Sequence, residues 1–435
     1  MAARLTKEGM KTAIIERKLF GGTCVNVDCI PTKTLVASAR AAYMARRGPD
    51  FSVNIGGPIT VDMKQDLTSF LNDLSQHIEA DGLPLLRTSV TVGTLHPQIS
   101  GYYVVKWRGK DATELNGPHG LQDMTLFQQS PQRAVYEEGV SVRFALDDPN
   151  DMPDYPIAQE IADAGGTDYL AMPLEFSGGE RTAISFVTVC PGGFSSAETL
   201  ELYRVTSIAS RLLEVTALRR TTANLLDTYV GHIAGQRVLN GEVQRGHGQT
   251  IPAVLWQCDL RQSTELSETT PRDEMIETLN DFFQCLAGAV EEAGGEILKF
   301  IGDAMLVIFP LSRRARVANA ECEVALAAAE QAISNIAEPN KKRVEAGKQP
   351  LSQGIALHVG DVMFGNIGAE KRLDFTINGP AVNAVSRLER LASELKMPIV
   401  FSSEFAQHTT REVEDLGDHF LRGIEEPVKV YTLRR

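Results

Sequence analysis

Two aspartates in apolar, strand-like segments are the residues of this sequence whose types and spacing best suit chemistry. Asp259 closes the stretch that begins at Ile251, and Asp303 lies inside a second stretch, 295–309. A carboxylate at the end of a buried strand is costly unless it is paired or bound to a metal ion. Lys299 stands four residues before Asp303 and can bind an anion. Together these residues predict a divalent-metal site for a polyphosphate.

Local patterns predict the order strand, helix, hairpin for the elements that hold these residues. The strand begins at Ile251, and the helix follows a polar turn at 261–265. Thr270 can cap that helix with Pro271 at its first position and Asp273 closing a capping box, and Gly294-Gly295 ends it. The predicted buried stripe of the helix consists of Met275, Leu279, Phe282, Leu286 and Val290.

The hairpin brings the second aspartate towards the first. Its strands are predicted at Glu296–Ile301 and Ala304–Phe309, joined by Gly302-Asp303, a pair suited to a tight turn. Asp259 at a strand end and Asp303 at the hairpin tip can then share cations. Magnesium takes one or two carboxylates, with phosphates and water as its other ligands. Two such ions about 3.5–4 Å apart polarise both oxygens of a phosphoryl displacement.

A second pair of polar residues lies further along the chain. Asn383 and Arg387 are four residues apart in a predicted helix, so they project together. The apolar face of this helix is predicted to be Val382, Val385, Leu388, Leu391 and Leu395. Arg387 could bond a phosphoryl group and Asn383 could orient a ribose. Alone, such a pair is more often a solvated helix face.

Three ordered motifs extend the pattern to the C-terminus: 354–368, 374–389 and 421–433. With them, residues from about 250 to 435 resemble the catalytic domain of the class III adenylate/guanylate cyclases. The resemblance implies a ferredoxin-like βαβ-type domain. It also implies these roles: metal binding by Asp259 and Asp303, purine selection by Lys299 and Thr376, and transition-state stabilisation by Asn383 and Arg387.

The reaction implied is closure of ATP to 3′,5′-cyclic AMP and pyrophosphate, with two Mg²⁺ or Mn²⁺ ions per site. Lys299 can only donate and so suits adenine N1, while the Thr376 hydroxyl can accept from the adenine amino group. Because one chain carries all six positions, the family's shared sites imply a homodimer. Thr376 resembles the subgroup with bicarbonate-responsive members, which makes bicarbonate a hypothetical regulator. The family often has Gly and Phe where this chain has Gln262 and Ser263, so we expect weaker ATP binding.

The N-terminal segment, 1–64, carries two cysteines five residues apart, Cys24 and Cys29, before a helical stretch. The segment 21–33 resembles the redox-disulfide region of flavin-dependent disulfide reductases of the mercuric reductase type. Asp28 stands where that family usually has glycine. No Gly-x-Gly-x-x-Gly flavin turn occurs in the chain, so the cysteine pair is expected to be vestigial.

The middle of the chain is predicted to form an α+β domain over 70–200, followed by a connecting helix over 201–240. Strand-like runs lie at 101–107, 140–145 and 183–189. Their order before a long helix resembles a GAF sensor domain; an unspecified α+β domain that aids dimerisation is the alternative. The amphipathic repeat of the helix is Leu202, Val205, Ile208, Leu212 and Val215.

Composition limits the remaining choices for this chain of 435 residues. A net charge of −13 argues against a nucleic-acid partner. No apolar run is long enough to span a bilayer, and six scattered cysteines form no disulfide framework, so we expect a cytoplasmic protein. The overall fold class expected is α+β. The alternative functions are a non-catalytic nucleotide-sensing or scaffold module with a cyclase fold, a guanylate cyclase, and a flavoprotein reductase.

Overall fold

The computed structural model describes residues 66–147, 152–312 and 315–434. These residues form two compact units, one ending at Leu225 and the other beginning at Leu226. The reductase-like segment with Cys24 and Cys29 lies outside the described residues. Both units combine helices with a sheet, which confirms the α+β class. No helix in the described ranges has the length and apolar character needed to cross a bilayer.

The first unit is built on one six-stranded sheet in which every neighbouring pair is antiparallel, in the order β3-β2-β1-β6-β5-β4. Its strands are β1 (Leu85–Gly93), β2 (Ile99–Trp107), β3 (Thr113–Pro118), β4 (Val142–Ala145), β5 (Asp168–Glu175) and β6 (Arg181–Thr188). The three runs predicted as strands correspond to β2, β4 and β6. Its helices before the long connecting helix are α1 (Leu67–Ala80), α2 (Thr125–Gln128), α3 (Gln132–Glu137) and α4 (Pro156–Asp163).

Alternation along the strands separates two packed faces of this sheet. Val90 and Phe186 pack on one face with Leu67 and Leu71 of α1. The other face packs against α3 and α4 through Val135, Ala158, Ile161, Tyr169 and Val187. Asp66 begins α1 by accepting a hydrogen bond of 2.7 Å from the Ser69 backbone.

The long helix begins at Ser196, before the domain boundary predicted at residue 201. It is α5 (Ser196–Val230), and Gly231, with φ of +94°, separates it from α6 (His232–Leu239). The left-handed region that Gly231 occupies cannot continue an α-helix. The predicted single helix over 201–240 is therefore two helices.

The second unit contains an eight-stranded mixed sheet in the order β13-β14-β12-β10-β7-β9-β8, with β11 paired to β10. Its strands are β7 (Gly248–Leu260), β8 (Glu296–Ile301), β9 (Ala304–Pro310), β10 (Gln353–Ala369), β11 (Arg372–Asn378), β12 (Ile399–Ser402), β13 (Val413–His419) and β14 (Val428–Leu433). Its further helices are α7 (Ser263–Thr269), α8 (Arg272–Glu292), α9 (Ala315–Asn335), α10 (Ala337–Glu345), α11 (Pro380–Glu394) and α12 (Ser403–Ala406). The β10–β12 pair is parallel, and the other pairs are antiparallel.

The central strand β7 is covered on both faces. Trp256 and Cys258 belong to the core cluster formed with α8 and α9, whereas Ala253 and Leu255 belong to the cluster formed with α11. Asp259 continues the second set by alternation and therefore points to the α11 side of the sheet.

The local predictions around α8 are mostly confirmed, with two corrections. Phe282, Leu286 and Val290 are fully buried, and the hairpin strands begin and end within one residue of prediction. However, α8 begins at Arg272, and Pro271, with ψ of 146°, is its extended cap without a side-chain capping bond. Thr270 instead ends α7, a helix in the region predicted to be a polar turn, by donating its backbone N–H to Leu266.

Candidate active site

The two predicted metal aspartates come together at one end of β7. Asp259 pairs with Ala304 of β9 on one side and with Gly354 of β10 on the other. Asp303 lies in the turn between β8 and β9, where Gly302 has φ of +67°. The backbone N–H of Leu260 donates to the Asp303 carbonyl at 3.3 Å, which ties the hairpin tip to the end of β7.

The Asp259 carboxyl lies in an electrostatically unfavourable environment. Burial and the neighbouring carboxyl of Asp303 raise its pKa to about 7. Its Oδ1 atom is buried and has no hydrogen-bond partner. A buried carboxylate oxygen without a partner costs free energy unless a ligand or cation supplies the missing interaction.

These features fit a divalent cation whose remaining ligands come from a nucleotide. Within the described ranges, no group of three or more His, Cys, Asp or Glu side chains could hold a metal by itself. Magnesium does not require such a group, because it usually takes one or two carboxylates together with substrate phosphates and water. Asp259 and Asp303 are the side chains that could hold it.

A third carboxyl, which the sequence analysis did not identify, approaches the same pair. Glu389 of α11 is buried, and a Cβ placed on Gly354 would lie 3.3 Å from its Oε1 atom. Since Gly354 is the register partner of Asp259, a glycine there leaves room for this carboxyl. Burial and the charge of Asp259 raise the pKa of Glu389 to about 7, against the opposing effect of Arg261.

Arg261 interacts electrostatically with Glu389, but its hydrogen bonds go to other groups. Its guanidinium donates to the backbone carbonyl of Ala392 at 3.2 Å and to that of Met397. Burial lowers the pKa of Arg261. Arg261 therefore anchors the end of α11 and only partly offsets the charge of the carboxyls.

The two predicted purine-selecting residues lie on β8 and β11, which are not paired with each other in the sheet. The Lys299 Nζ atom is 3.9 Å from Asp374, an exposed residue of β11. Thr376 stands two positions further along β11, so it shares a strand face with Asp374. The Thr376 hydroxyl is buried and has no hydrogen-bond partner. An ammonium group and an unused hydroxyl are thus available to a ligand on this part of the sheet.

Asn383 and Arg387 lie on α11, away from the side that carries Glu389. At about 100° per residue, Asn383 and Arg387 are about 40° apart around the helix axis, while Arg387 is about 160° and Asn383 about 120° from Glu389. Asn383 is exposed and Arg387 is partly exposed. Because Glu389 is directed to Asp259, the other two side chains point away from the aspartates of their own chain.

The turn after Asp259 keeps a conformation that favours glycine. Gln262 has φ of +57°, one of two left-handed non-glycine residues in the described part of the chain. Left-handed backbone is strained for a residue with a Cβ atom. The expectation of weaker ATP binding at Gln262 and Ser263 stays a prediction.

This geometry can be compared with known proteins. Residues 252–435 match the family model described as "Adenylate and Guanylate cyclase catalytic domain". The predicted resemblance is confirmed for this catalytic domain. The match begins within β7 and covers both aspartates, Lys299, Thr376 and α11 of the cyclase domain.

Relatives and solved structures are also similar to part of the chain. An adenylate cyclase of Anabaena cylindrica is 32% identical over 206 residues, which is 46% of this chain and 38% of the relative. The photoactivated adenylate cyclase subunit beta of Euglena gracilis is 31% identical over 171 residues, 38% of this chain and 19% of the relative. A bacterial light-regulated adenylyl cyclase structure is 27% identical with a TM-score of 0.37, covering 42% of this chain and 91% of that one. The chain thus spans well under half the length of these two curated relatives.

Proposed function

We propose that the cyclase domain converts ATP to 3′,5′-cyclic AMP and pyrophosphate. The proposal rests on the proximity of the Asp259 and Asp303 carboxyls in a region that matches the cyclase family model. One oxygen of Asp259 has no hydrogen-bond partner and is available to a cation. The adenylate cyclases among its relatives support ATP as the substrate.

Asp259 and Asp303 would hold two Mg²⁺ or Mn²⁺ ions together with the nucleotide phosphates. When bound, such ions lower the pKa of the ribose 3′-hydroxyl and neutralise charge on the departing pyrophosphate. The carboxylates would keep the triphosphate in place while the 3′-oxygen attacks the α-phosphorus. Glu389 is a third acidic group near the pair, and cations bound there would favour its charged form.

Adenine would be selected by Lys299 and Thr376. The Lys299 ammonium donates to adenine N1, and the buried Thr376 hydroxyl accepts from the 6-amino group. Guanine carries a hydrogen on N1, so it cannot accept from Lys299 at that atom. The unused hydroxyl of Thr376 supports this assignment, because a buried polar group gains free energy when a ligand satisfies it.

The complete site would form between two copies of the chain. Asn383 and Arg387 face away from the aspartates of their own chain, as the position of Glu389 on α11 indicates. In a homodimer, they would reach the nucleotide held by the partner's aspartates. Arg387 would stabilise charge on the phosphoryl oxygens in the transition state, and Asn383 would orient the ribose.

The N-terminal unit would regulate this reaction as a GAF-like sensor. Its continuous antiparallel six-stranded sheet and the long helix α5 support that role. Bicarbonate is a second proposed regulator. Bicarbonate stimulation would be rejected if the rate did not change with bicarbonate at fixed pH.

The deciding experiment incubates the full chain with ATP or GTP and with Mg²⁺ or Mn²⁺, and measures both cyclic nucleotides. We expect cyclic AMP as the main product and at least a 100-fold loss in the Asp303→Ala variant. Asp418→Ala, which removes an exposed carboxylate on β13, is the matched control and should retain activity. Cyclic GMP as the main product would assign the domain to GTP. No product under any condition, with folded protein, would favour a non-catalytic module.

A further inference from the structure

Arg87 in the first unit is a cation buried within the protein. It lies on β1, only 4% of its surface is exposed, and its register partners are Trp107 of β2 and Val187 of β6. Its guanidinium carbon is 5.5 Å from the centre of the Trp107 ring and 5.8 Å from that of Tyr103. Burying such a charge is expensive unless a counter-charge accompanies it.

The described residues supply no counter-charge to Arg87. Its hydrogen bonds go to hydroxyl groups: to Ser89 at 3.3 Å, to Ser185 at 3.5 Å, and to Tyr103. No ion pair of the described ranges includes it. Its Nε–H group is buried and has no acceptor.

The nearby phenol of Tyr169 does not provide a negative charge. Burial raises the pKa of Tyr169 to about 12, although the positive charge of Arg87 opposes this effect. The phenol is therefore neutral at physiological pH. Two other buried charges in this unit do have partners: Asp168 accepts from Arg143 at 2.7 Å, and Glu214 pairs with Arg211 at 3.2 Å.

Unused hydrogen-bond donors surround the guanidinium. Tyr103 accepts a hydrogen bond from Arg87, and its own O–H donates no hydrogen bond to the described residues. Ser89 and Ser185 face each other across β1 and β6 with their hydroxyl oxygens 2.6 Å apart. The Arg87 Nε–H and the Tyr103 O–H are thus two donors beside one positive charge that bond no acceptor among the described residues.

We propose that Arg87 anchors a small oxyanion on the face of the first sheet that carries its register partner Val187. The oxyanion would be the carboxylate or phosphate group of a small molecule. A planar guanidinium binds such groups through two parallel N–H bonds. The Tyr103 hydroxyl would supply a third bond, and the Trp107 ring would contact the rest of the ligand. The site belongs to the first unit and does not depend on the reaction of the cyclase domain.

Fluorescence can report binding, since the chain has only two tryptophans and one of them contacts Arg87. The full chain is titrated separately with sodium acetate, sodium benzoate and inorganic phosphate, against sodium chloride at equal ionic strength. We expect a saturable change in Trp107 emission and a rise in Tm with at least one probe, because a ligand that binds only the folded state stabilises it. A response to acetate or benzoate indicates a carboxylate ligand, and a response to inorganic phosphate indicates a phosphate ligand.

Substitutions at Arg87 separate binding from a structural role. Arg87→Met should weaken the binding of the active probe at least tenfold and abolish its Tm rise, while the Tm without ligand is retained, because an unpaired buried charge is lost. Arg87→Lys keeps the positive charge but removes the planar guanidinium group with its paired N–H donors, and should weaken binding severalfold. Arg108→Met removes an exposed arginine near β2 and should change neither quantity.

Three results would overturn the proposal. One is the absence of any saturable response of the unsubstituted chain to all three probes. Another is an equal response in Arg87→Met. If Arg87→Met does not fold, an unchanged affinity of Arg87→Lys for the probe would also overturn the proposal. A ligand that is bound by the planar guanidinium group should bind more weakly when that group is removed.

Discussion

Asp259 and Asp303 place two carboxyl groups together at the end of β7, and burial with this proximity raises the pKa of Asp259 to about 7. The backbone bond from Leu260 to Asp303 holds the hairpin tip in that position. Glu389 adds a third acidic group with a raised pKa. The fold thus concentrates acidic groups where a polyphosphate and its cations are proposed to bind.

The first prediction concerns the stability of the metal-free cyclase domain. The folded-state pKa of Asp259 lies above its unfolded value of 3.8. Between about pH 4 and pH 7 the folded state keeps a proton that the unfolded state has released, so stability falls as pH rises through this window. Asp303→Asn removes the neighbouring charge but leaves Asp259 buried, and burial is the larger cause of its raised pKa, so the free energy of unfolding of the variant should fall less than that of the unsubstituted chain between pH 5 and pH 8 while still falling.

Urea unfolding in EDTA at the two pH values would measure this difference. A Trp107→Phe background leaves Trp256, which is buried in the second unit, as the fluorescence reporter. Asp418→Asn is the control and should follow the unsubstituted chain. Equal pH dependence in Asp303→Asn and the control would show that the two carboxyls do not interact.

The second prediction concerns Asp374 as a positioning residue for Lys299. Their separation of 3.9 Å and partial exposure make the pair a weak contributor to stability. Its effect would be to orient the ammonium group towards the purine. Asp374→Asn should therefore raise KM for ATP severalfold with little change in kcat or in Tm. Asp415→Asn, which breaks the Lys429–Asp415 pair at 2.9 Å on β13 and β14, should leave KM unchanged. A fall in kcat alone would contradict the positioning role.

Much of the cyclase domain could be predicted from local sequence. The hairpin around Gly302-Asp303 and the stripe Phe282, Leu286 and Val290 follow from turn chemistry and helical periodicity, which act over a few residues. The capping box at Thr270 failed because Thr270 is already used at the end of α7. That competition between two helices is not visible in a four-residue motif.

Other features depend on contacts between distant parts of the chain. In the sequence, Glu389 is indistinguishable from the other charged residues of an amphipathic helix. The packing of α11 on β7 and β10 brings it close to Asp259. Arg87 likewise reads as a polar position of an alternating strand. Its burial follows from the sheet face on which the register of β1 places it. The local sequence patterns do not predict the register of β1 or the packing of α11 on the sheet.

A third prediction follows from the opposite orientations of Glu389 and Arg387 on α11. If each site combines the aspartates of one copy with Arg387 of the other, Asp303→Ala and Arg387→Ala chains should each be inactive. Their mixture should recover up to about a quarter of the unsubstituted activity, because mixed dimers contain one intact site. Cyclic AMP formation after co-expression with two different affinity tags would measure it. No recovery in purified mixed dimers would contradict shared sites.

The fourth prediction concerns the left-handed turn at Gln262. Glycine adopts φ of +57° without the steric cost that glutamine bears, so Gln262→Gly should raise the free energy of unfolding by about 0.5–1 kcal/mol. Gln262→Val, with a β-branched side chain, should lower it. Urea midpoints of the two variants in the Trp107→Phe background would test the sign. Destabilisation by glycine would show that the Gln262 side chain makes a contact that outweighs its strain.

The most direct test is a crystal structure of the chain with Mn²⁺ and a non-cyclisable ATP analogue, with manganese located by anomalous scattering. Manganese is predicted between the carboxylates of Asp259 and Asp303, bonded to oxygens of both side chains and of the triphosphate. A bound nucleotide with no ion between these two carboxylates would contradict the account.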